Sequence, residues 1–397
     1  MSQTGTVPIT LPVQTRSLAS ASTEALAIPR AIWFMVTGAF LTSFAGTWDF
    51  AWHFSIGRDT LWTPPHMMAQ LGGILVGISS AYTIFKTTFT PTPSLRDGSV
   101  RVLGFHAPAG VFIACWGSVT LAASVPFDNW WHLAYGLDVN LINPPHLLLF
   151  FGSYAAKIGT LTWIVSNLNR SSDALRRTLL GLFFFVCTLG LWQSACLVMQ
   201  STWTNKLHLA AAYLAVALVI PHWFIAGARG SAHRWGCTIL AALYTGIGLA
   251  QEWLFPLIPA EPKLGPVYHQ VTHLIPVRFP LLLIVPAFIA DLLLQRLERR
   301  SFWFKAIFVG PAFLASFLVV QWPFANFLMT PASRNWVFGT AYFPYFDSAG
   351  FIYDPYKFLA EKTHGEFVVT LAVAFVVCTL TVALGLAWGN WMRRVRR

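Results

Sequence analysis

Ten apolar runs, each long enough to cross a lipid bilayer, constrain the fold of this chain more than any other feature. They lie near 31–53, 66–86, 103–127, 146–167, 177–199, 207–227, 236–254, 279–296, 304–322 and 367–391. A membrane-spanning helix needs about 20 such residues. Only 10% of the residues are charged, against about 25% in soluble proteins. The runs therefore predict an all-α, polytopic integral membrane protein with about ten transmembrane helices.

The basic residues predict how these helices are oriented. Lys and Arg collect in alternate connections and at the C-terminus, for example at Arg170, Arg176, Arg300 and Arg394. Basic residues favour the cytoplasmic side of a membrane, so we expect both termini in the cytoplasm and the protein in the cell (inner) membrane. The net charge of +11 then reflects orientation and contacts with lipid head groups. Nucleic acid is not an expected partner.

Composition divides the chain into three parts. Residues 1–30 are rich in Ser, Thr, Ala and Pro, which predicts a flexible cytoplasmic tail. Residues 31–167 contain two tandem helical hairpins, and 168–397 contain further transmembrane helices. An aromatic-rich extracytoplasmic loop is expected at about 323–366, where Trp and Tyr favour the membrane interface; a lid over a site is the alternative. The five cysteines lie in apolar runs without a CxxC pair, so we expect buried free thiols.

The hairpins carry one motif twice. Residues 48–66 read WDFAWHFSIGRDTLWTPPH, and residues 128–146 read DNWWHLAYGLDVNLINPPH. Each copy has an Asp and a His four residues apart, a Gly four residues after that His, a further Asp, and Pro-Pro-His at its end. In chain order these residues are Asp49, His53, Gly57, Asp59 and His66, then Asp128, His132, Gly136, Asp138 and His146. Such ordered repetition indicates an internal repeat.

The repeated residues predict two metal sites. An Asp and a His at i, i+4 share a helix face, and a His at the start of the next helix can join them. We therefore expect one metal at Asp49, His53 and His66, and a second at Asp128, His132 and His146. Imidazole suits copper, zinc and iron, and three protein ligands leave an open position, as in reactive sites.

Three further residues are expected to support these sites without binding metal directly. Asp59 and Asp138 lie too far along the chain to be obvious ligands, and each is expected to orient a His or to pair with Arg58. In the alternative interpretation, the Asp and His residues bind only each other and hold the helices together. A separate charged residue, Lys157, lies within the fourth run, where intramembrane charge indicates function. It is expected either to sense a substrate or carboxylate or to pair with Asp291 or another buried acid.

Over residues 31–167 the chain resembles the C subunit of copper-containing membrane monooxygenases, the particulate methane, ammonia and hydrocarbon monooxygenases. Asp49, His53 and His66 match that family's copper-binding Asp-x3-His-x12-His pattern, and Arg58 with its two following residues extends the match. The family's second pattern is Asn-x3-His-x13-His, and here Asp128 replaces the Asn, which adds a negative charge. The predicted helices after residue 167 have no counterpart in the resemblance.

The resemblance implies a function and partners. It implies a copper-dependent membrane oxygenase, or its metal-bearing subunit, that hydroxylates a small apolar substrate with O2. It implies further oxygenase subunits and an electron donor such as quinol. The orientation predicted from the basic residues places the metal motifs on the extracytoplasmic side. From the residues alone, iron or zinc could replace copper. Two other functions stay open: copper or metal transport or handling, and a helical scaffold that binds no metal.

Overall fold

A computed structural model describes residues 28–57, 61–90, 96, 98–136, 143–201, 209–263, 270–276, 278–328, 330–339 and 363–396. Within these ranges the chain is mainly α-helical. The helices are α1 (Arg30–Ser55), α2 (Pro64–Phe89), α3 (Ala109–Tyr135), α4 (Pro144–Leu168), α5 (Asp173–Ser201), α6 (Ala210–Val219), α7 (Pro221–Ser231), α8 (Gly236–Leu254), α9 (Ile284–Arg296), α10 (Phe302–Leu328) and α11 (His364–Met392). Three 3-10 turns lie at Phe255–Leu257, Pro331–Ser333 and Trp336–Phe338.

Eight of the described segments are long and apolar enough to cross a membrane, judged by length and composition. They are α1 to α5, α6 and α7 taken as one segment, α10 and α11. The prediction of an α-helical membrane protein is therefore confirmed at this level. The two other predicted spans correspond to α8 and α9. These helices are not among the eight segments that are long and apolar enough to cross a membrane, and α9 has only 13 residues.

The short connection between α2 and α3 differs from the prediction. We expected the third helix to begin near residue 103, but two antiparallel strands precede it, β1 (Val100–Val102) and β2 (Phe105–Ala107). Leu103 and Gly104 join them, both at positive φ. Two residues with positive φ match the right-handed twist of a hairpin. Apolar run length did not reveal these strands, because each has only three residues and two of the three are apolar.

The repeated glycines and prolines set the helix ends in both hairpins. Gly57 and Gly136 follow α1 and α3 at φ of 109° and 84°. Residues other than glycine rarely adopt this conformation. Pro-Pro occupies the first two positions of α2 and α4, where a missing N–H costs no helical hydrogen bond. Both helices thus begin two residues before the predicted starts at His66 and His146.

Helices α1, α4, α6, α7 and α8 contact α5, which is the most enclosed of the eight spans. The hairpin α1–α2 packs beside the hairpin α3–α4, and both contact α5; α11 packs on α6, α7 and α10. The predicted loop at 323–366 is shorter than expected, because α10 continues to Leu328 and α11 begins at His364. Most of its aromatic residues, and residues 1–27 of the predicted tail, lie outside the described part of the chain.

Candidate metal centre

The first triad forms where α1 ends and α2 begins. Asp49 and His53 lie one turn apart near the end of α1, and the Nε2 atom of His53 is 3.6 Å from Oδ2 of Asp49. His66 is the third residue of α2, and its Nε2 atom is 3.2 Å from Oδ1 of Asp49. The carboxylate of Asp49 thus lies between the two imidazole rings.

The compactness of this triad suits a single metal ion. One ligand atom from each of the three residues can be chosen so that all lie within 4.8 Å of one another. Their side chains are between 25% and 40% exposed, so an ion could reach them from solvent. Two imidazoles and one carboxylate form a donor set that zinc, copper and iron accept.

The second triad repeats this arrangement at the junction of α3 and α4. The carboxylate of Asp128 lies between His132 and His146, with Nε2 atoms 3.5 Å and 3.6 Å from its two oxygens. In contrast to the first triad, the second does not meet the 4.8 Å criterion among the described residues. The Nδ1 atom of His132 is 3.3 Å from the carbonyl oxygen of Gly136, a contact of the kind that orients a metal-binding imidazole.

One buried carboxylate oxygen in each triad faces an imidazole nitrogen. Oδ1 of Asp49 lies 3.2 Å from Nε2 of His66, and Oδ1 of Asp128 lies 3.6 Å from Nε2 of His146. A buried anionic oxygen needs a donor or a cation beside it. A metal ion between the carboxylate and the neighbouring histidines would satisfy both oxygens, so the residues present fit the predicted group.

The predicted supporting residues cannot be placed. Arg58, Asp59 and Asp138 lie outside the described residues, so their roles stay predictions.

Asn143 precedes the Pro-Pro-His sequence of the second copy and caps α4. Its side-chain oxygen accepts a hydrogen bond of 2.7 Å from the backbone N–H of His146. This cap fixes the first turn of α4 and with it the start of the helix that carries His146.

The repeat also includes a pair of facing glycines in each hairpin, which lie outside the Asp/His motif. Gly38 in α1 faces Gly72 in α2, and a Cβ atom on Gly38 would lie 2.5 Å from the Gly72 carbonyl oxygen. In the second hairpin Gly117 faces Gly152, and a Cβ atom on Gly117 would lie 2.8 Å from the Gly152 carbonyl oxygen. Small residues let membrane helices approach closely.

The spacing of these glycines is the same in both copies. Each lies 11 residues before the Asp of its triad, or six residues after the second His. The glycine spacing is therefore visible in the sequence, but it lies outside the two motif segments 48–66 and 128–146. The close helix contact keeps the end of one helix near the start of the next, which is where the triad residues meet.

Lys157 has no carboxylate partner among the described residues. Its Nζ atom donates hydrogen bonds to Ser153, Gln193 and Thr42. The expected pairing with Asp291 is wrong, because that carboxylate accepts hydrogen bonds from the backbone N–H groups of Cys237 and Thr238 at the start of α8. Asp291 stabilises a helix N-terminus there.

Comparison with protein-family models, with curated proteins and with solved structures finds no match to this chain. The functional conclusion therefore depends on the residues of the two triads and on the motif resemblance that they carry.

Proposed function

We propose that this protein is a copper-dependent membrane oxygenase, or the metal-bearing subunit of one, which hydroxylates a small apolar substrate with O2. The observation that carries the proposal is the convergence of His53 and His66 on Asp49, at distances that admit one ion. Copper is chosen over zinc and iron because the spacing of these residues resembles that of copper monooxygenases.

Each residue of the triad has a distinct role in this proposal. His53, His66 and Asp49 would hold the metal, and Asp49 also adds negative charge to the site. Three protein ligands leave a coordination position open, and bound copper would supply the activation of oxygen there. Asp128, His132 and His146 form a second, less compact site of the same type, which favours a different role or a more weakly held ion.

The apolar substrate would reach the triads from the lipid bilayer. The basic residues favour an orientation with both triads on the extracytoplasmic side of the inner membrane. Trp62 and Trp130, 72% and 52% exposed, lie close in sequence to the triads, and indole rings favour the interface between lipid and water. An apolar substrate dissolved in the bilayer could therefore reach the triads from the side.

Partner proteins follow from the chemistry. Hydroxylation places one oxygen atom of O2 in the substrate and reduces the other to water, which needs two electrons and two protons from outside the substrate. A quinol in the same membrane is a suitable donor of both. The described residues include no second domain that could carry electrons, and the resemblance implies further oxygenase subunits. We therefore expect the chain to act within a complex.

A metal-handling function has one observation in its favour. The triad side chains are partly exposed, which would let a carrier exchange ions rapidly. Copper uptake into proteoliposomes distinguishes the two functions, since a carrier moves copper across the bilayer and an oxygenase does not.

The test of the oxygenase is hydroxylation in membranes that contain the intact complex. With ¹⁸O2, a quinol and a short alkane, the wild type should place ¹⁸O in the alcohol, and His53→Ala or His132→Ala should reduce that incorporation at least about tenfold. The control is His106→Ala, a histidine in β2 away from both triads. Full activity in both triad variants would overturn the proposal.

A further inference from the structure

Lys157 lies at the middle of α4 (Pro144–Leu168) and is fully buried. Its Nζ atom donates to Ser153 Oγ at 2.6 Å, to Gln193 Oε1 at 2.7 Å and to Thr42 Oγ1 at 3.3 Å. An ammonium has three N–H donors, and these three acceptors satisfy all of them. All three acceptors are neutral, so none of these contacts would balance a positive charge on Lys157.

A pocket of about 50 Å³ lies directly beside this cluster, between α1, α4 and α5. The three residues that accept hydrogen bonds from Lys157 are among those that line the pocket. Its walls are largely apolar and include Phe50, Leu149, Phe150 and Trp192. A single water needs about 10–15 Å³ in such a measure, so the pocket accepts a ligand of only a few heavy atoms.

The polar lining of the pocket favours a ligand that accepts hydrogen bonds. Oε1 of Gln193 accepts hydrogen bonds from Lys157 and Ser153, and its Nε2 amide donates no hydrogen bond to the described residues. Because the amide oxygen is bound to an ammonium, the amide N–H groups are polarised and become stronger donors. The nearby charge is poorly screened in a low-dielectric interior.

We propose that this pocket binds a small carboxylate. The anion would balance the charge of Lys157, and one of its oxygens would accept a hydrogen bond from Gln193. Another would accept a hydrogen bond from Lys157 in place of the long contact with Thr42. Its short alkyl part would lie against Phe50 and Phe150. A charged group within a membrane usually has an ionic partner or a function, and no described side chain supplies that partner.

Gly46 provides a direct way to test the pocket without disturbing Lys157. Gly46 lines the pocket, and a Cβ atom added there would meet no heavy atom within 4 Å. Gly46→Leu should therefore fill the pocket while leaving the lysine and its three partners in place. Gly246 in α8 has the same open surroundings but does not line the pocket, which makes Gly246→Leu a matched control.

The experiment measures binding of ¹⁴C-labelled acetate to the full chain in mild detergent by equilibrium dialysis. A chelator is included, so that acetate binding to a metal is excluded and the outcome does not depend on the proposed oxygenase. We expect the wild type and Gly246→Leu to bind acetate, and Gly46→Leu and Lys157→Met to bind it at least about tenfold more weakly. Neutral acetamide, of nearly the same shape, should bind at least tenfold more weakly than acetate.

Three results would overturn the proposal. They are absence of acetate binding by the wild type, equal binding by Gly46→Leu and Gly246→Leu, and equal affinity for acetate and acetamide. The last result would indicate a site for neutral molecules. If Lys157→Met fails to fold, the two glycine variants and the acetamide comparison still decide the question.

Discussion

The central residue of each triad is the aspartate, because its carboxylate contacts both histidines. In the first triad Asp49 bridges the end of α1 and the start of α2 through two oxygens. Its negative charge should contribute to metal affinity as well as to geometry, since an amide of the same shape would provide only a neutral oxygen.

Asp49→Asn tests whether the negative charge of Asp49 contributes to metal affinity. We expect affinity for Cu(II) at the first site to fall by about 100-fold or more, because loss of even a supporting partner of a metal ligand typically costs 10- to 100-fold. Titration against a competing chelator measures the change. Asp173→Asn, in the first turn of α5, removes one carboxylate elsewhere and should leave the affinity unaltered; an equal fall in both variants would contradict the assignment.

The sequence predicted part of this residue-level arrangement. The i, i+4 spacing brought Asp49 and His53 together on one helix face, since that contact is local. The neighbours of Lys157 could not be predicted, because Thr42 and Gln193 are 115 and 36 residues away along the chain. Only the packing of α1, α4 and α5 determines which polar groups reach the lysine.

At the scale of elements, two helical hairpins are built on the same plan. Each has a helix that ends at a glycine with positive φ, a helix that begins with Pro-Pro, and a glycine pair where the two helices touch. Apolar run length predicted where these helices lie. It could not predict the β1–β2 hairpin or the close glycine contacts, which depend on backbone geometry.

Substitution of the contact glycines should affect one hairpin at a time. A Cβ atom on Gly72 would lie 2.7 Å from the Gly38 carbonyl oxygen, and one on Gly152 would lie 2.6 Å from the backbone nitrogen of Leu121. Forcing an extra carbon into such contacts costs about 1–3 kcal/mol. We expect Gly72→Ala to weaken copper binding at the first triad and Gly152→Ala to weaken it at the second.

Copper content and thermal unfolding in detergent measure these effects. Gly181→Ala in α5 is the control, since a Cβ atom there meets nothing within 4 Å; it should preserve both the copper content and the unfolding temperature. If Gly72→Ala and Gly152→Ala behave like the control, the glycine contacts do not position the triads.

At the scale of the whole molecule, the charge distribution and the helix order together predict where the triads face. The connection between α1 and α2 precedes His66, and the connection between α9 and α10 contains Arg299 and Arg300. The positive-inside rule assigns the first to the extracytoplasmic side and the second to the cytoplasm. Both triads would then face the same side, because each lies between the first and second helix of its hairpin.

Accessibility of single introduced cysteines tests this orientation. Trp62 is 72% exposed, and Arg300 is exposed in the connection between α9 and α10. In intact cells a membrane-impermeant maleimide should label Trp62→Cys, but should label Arg300→Cys only after permeabilisation. The wild type, whose own five cysteines are free, gives the background. The reverse pattern would place the triads in the cytoplasm.

Metal analysis of the full chain tests whether the repeated Asp/His triads bind metal. Copper, iron and zinc are quantified together in protein purified in mild detergent, before and after anaerobic reconstitution with copper, for the wild type, His53→Ala, His132→Ala and the control His106→Ala. We predict about one to two copper ions per wild-type chain, a fall in each triad variant, and no change in the control. No bound metal after reconstitution, or equal metal content in all four proteins, would contradict the claim and make the triads contacts between helices.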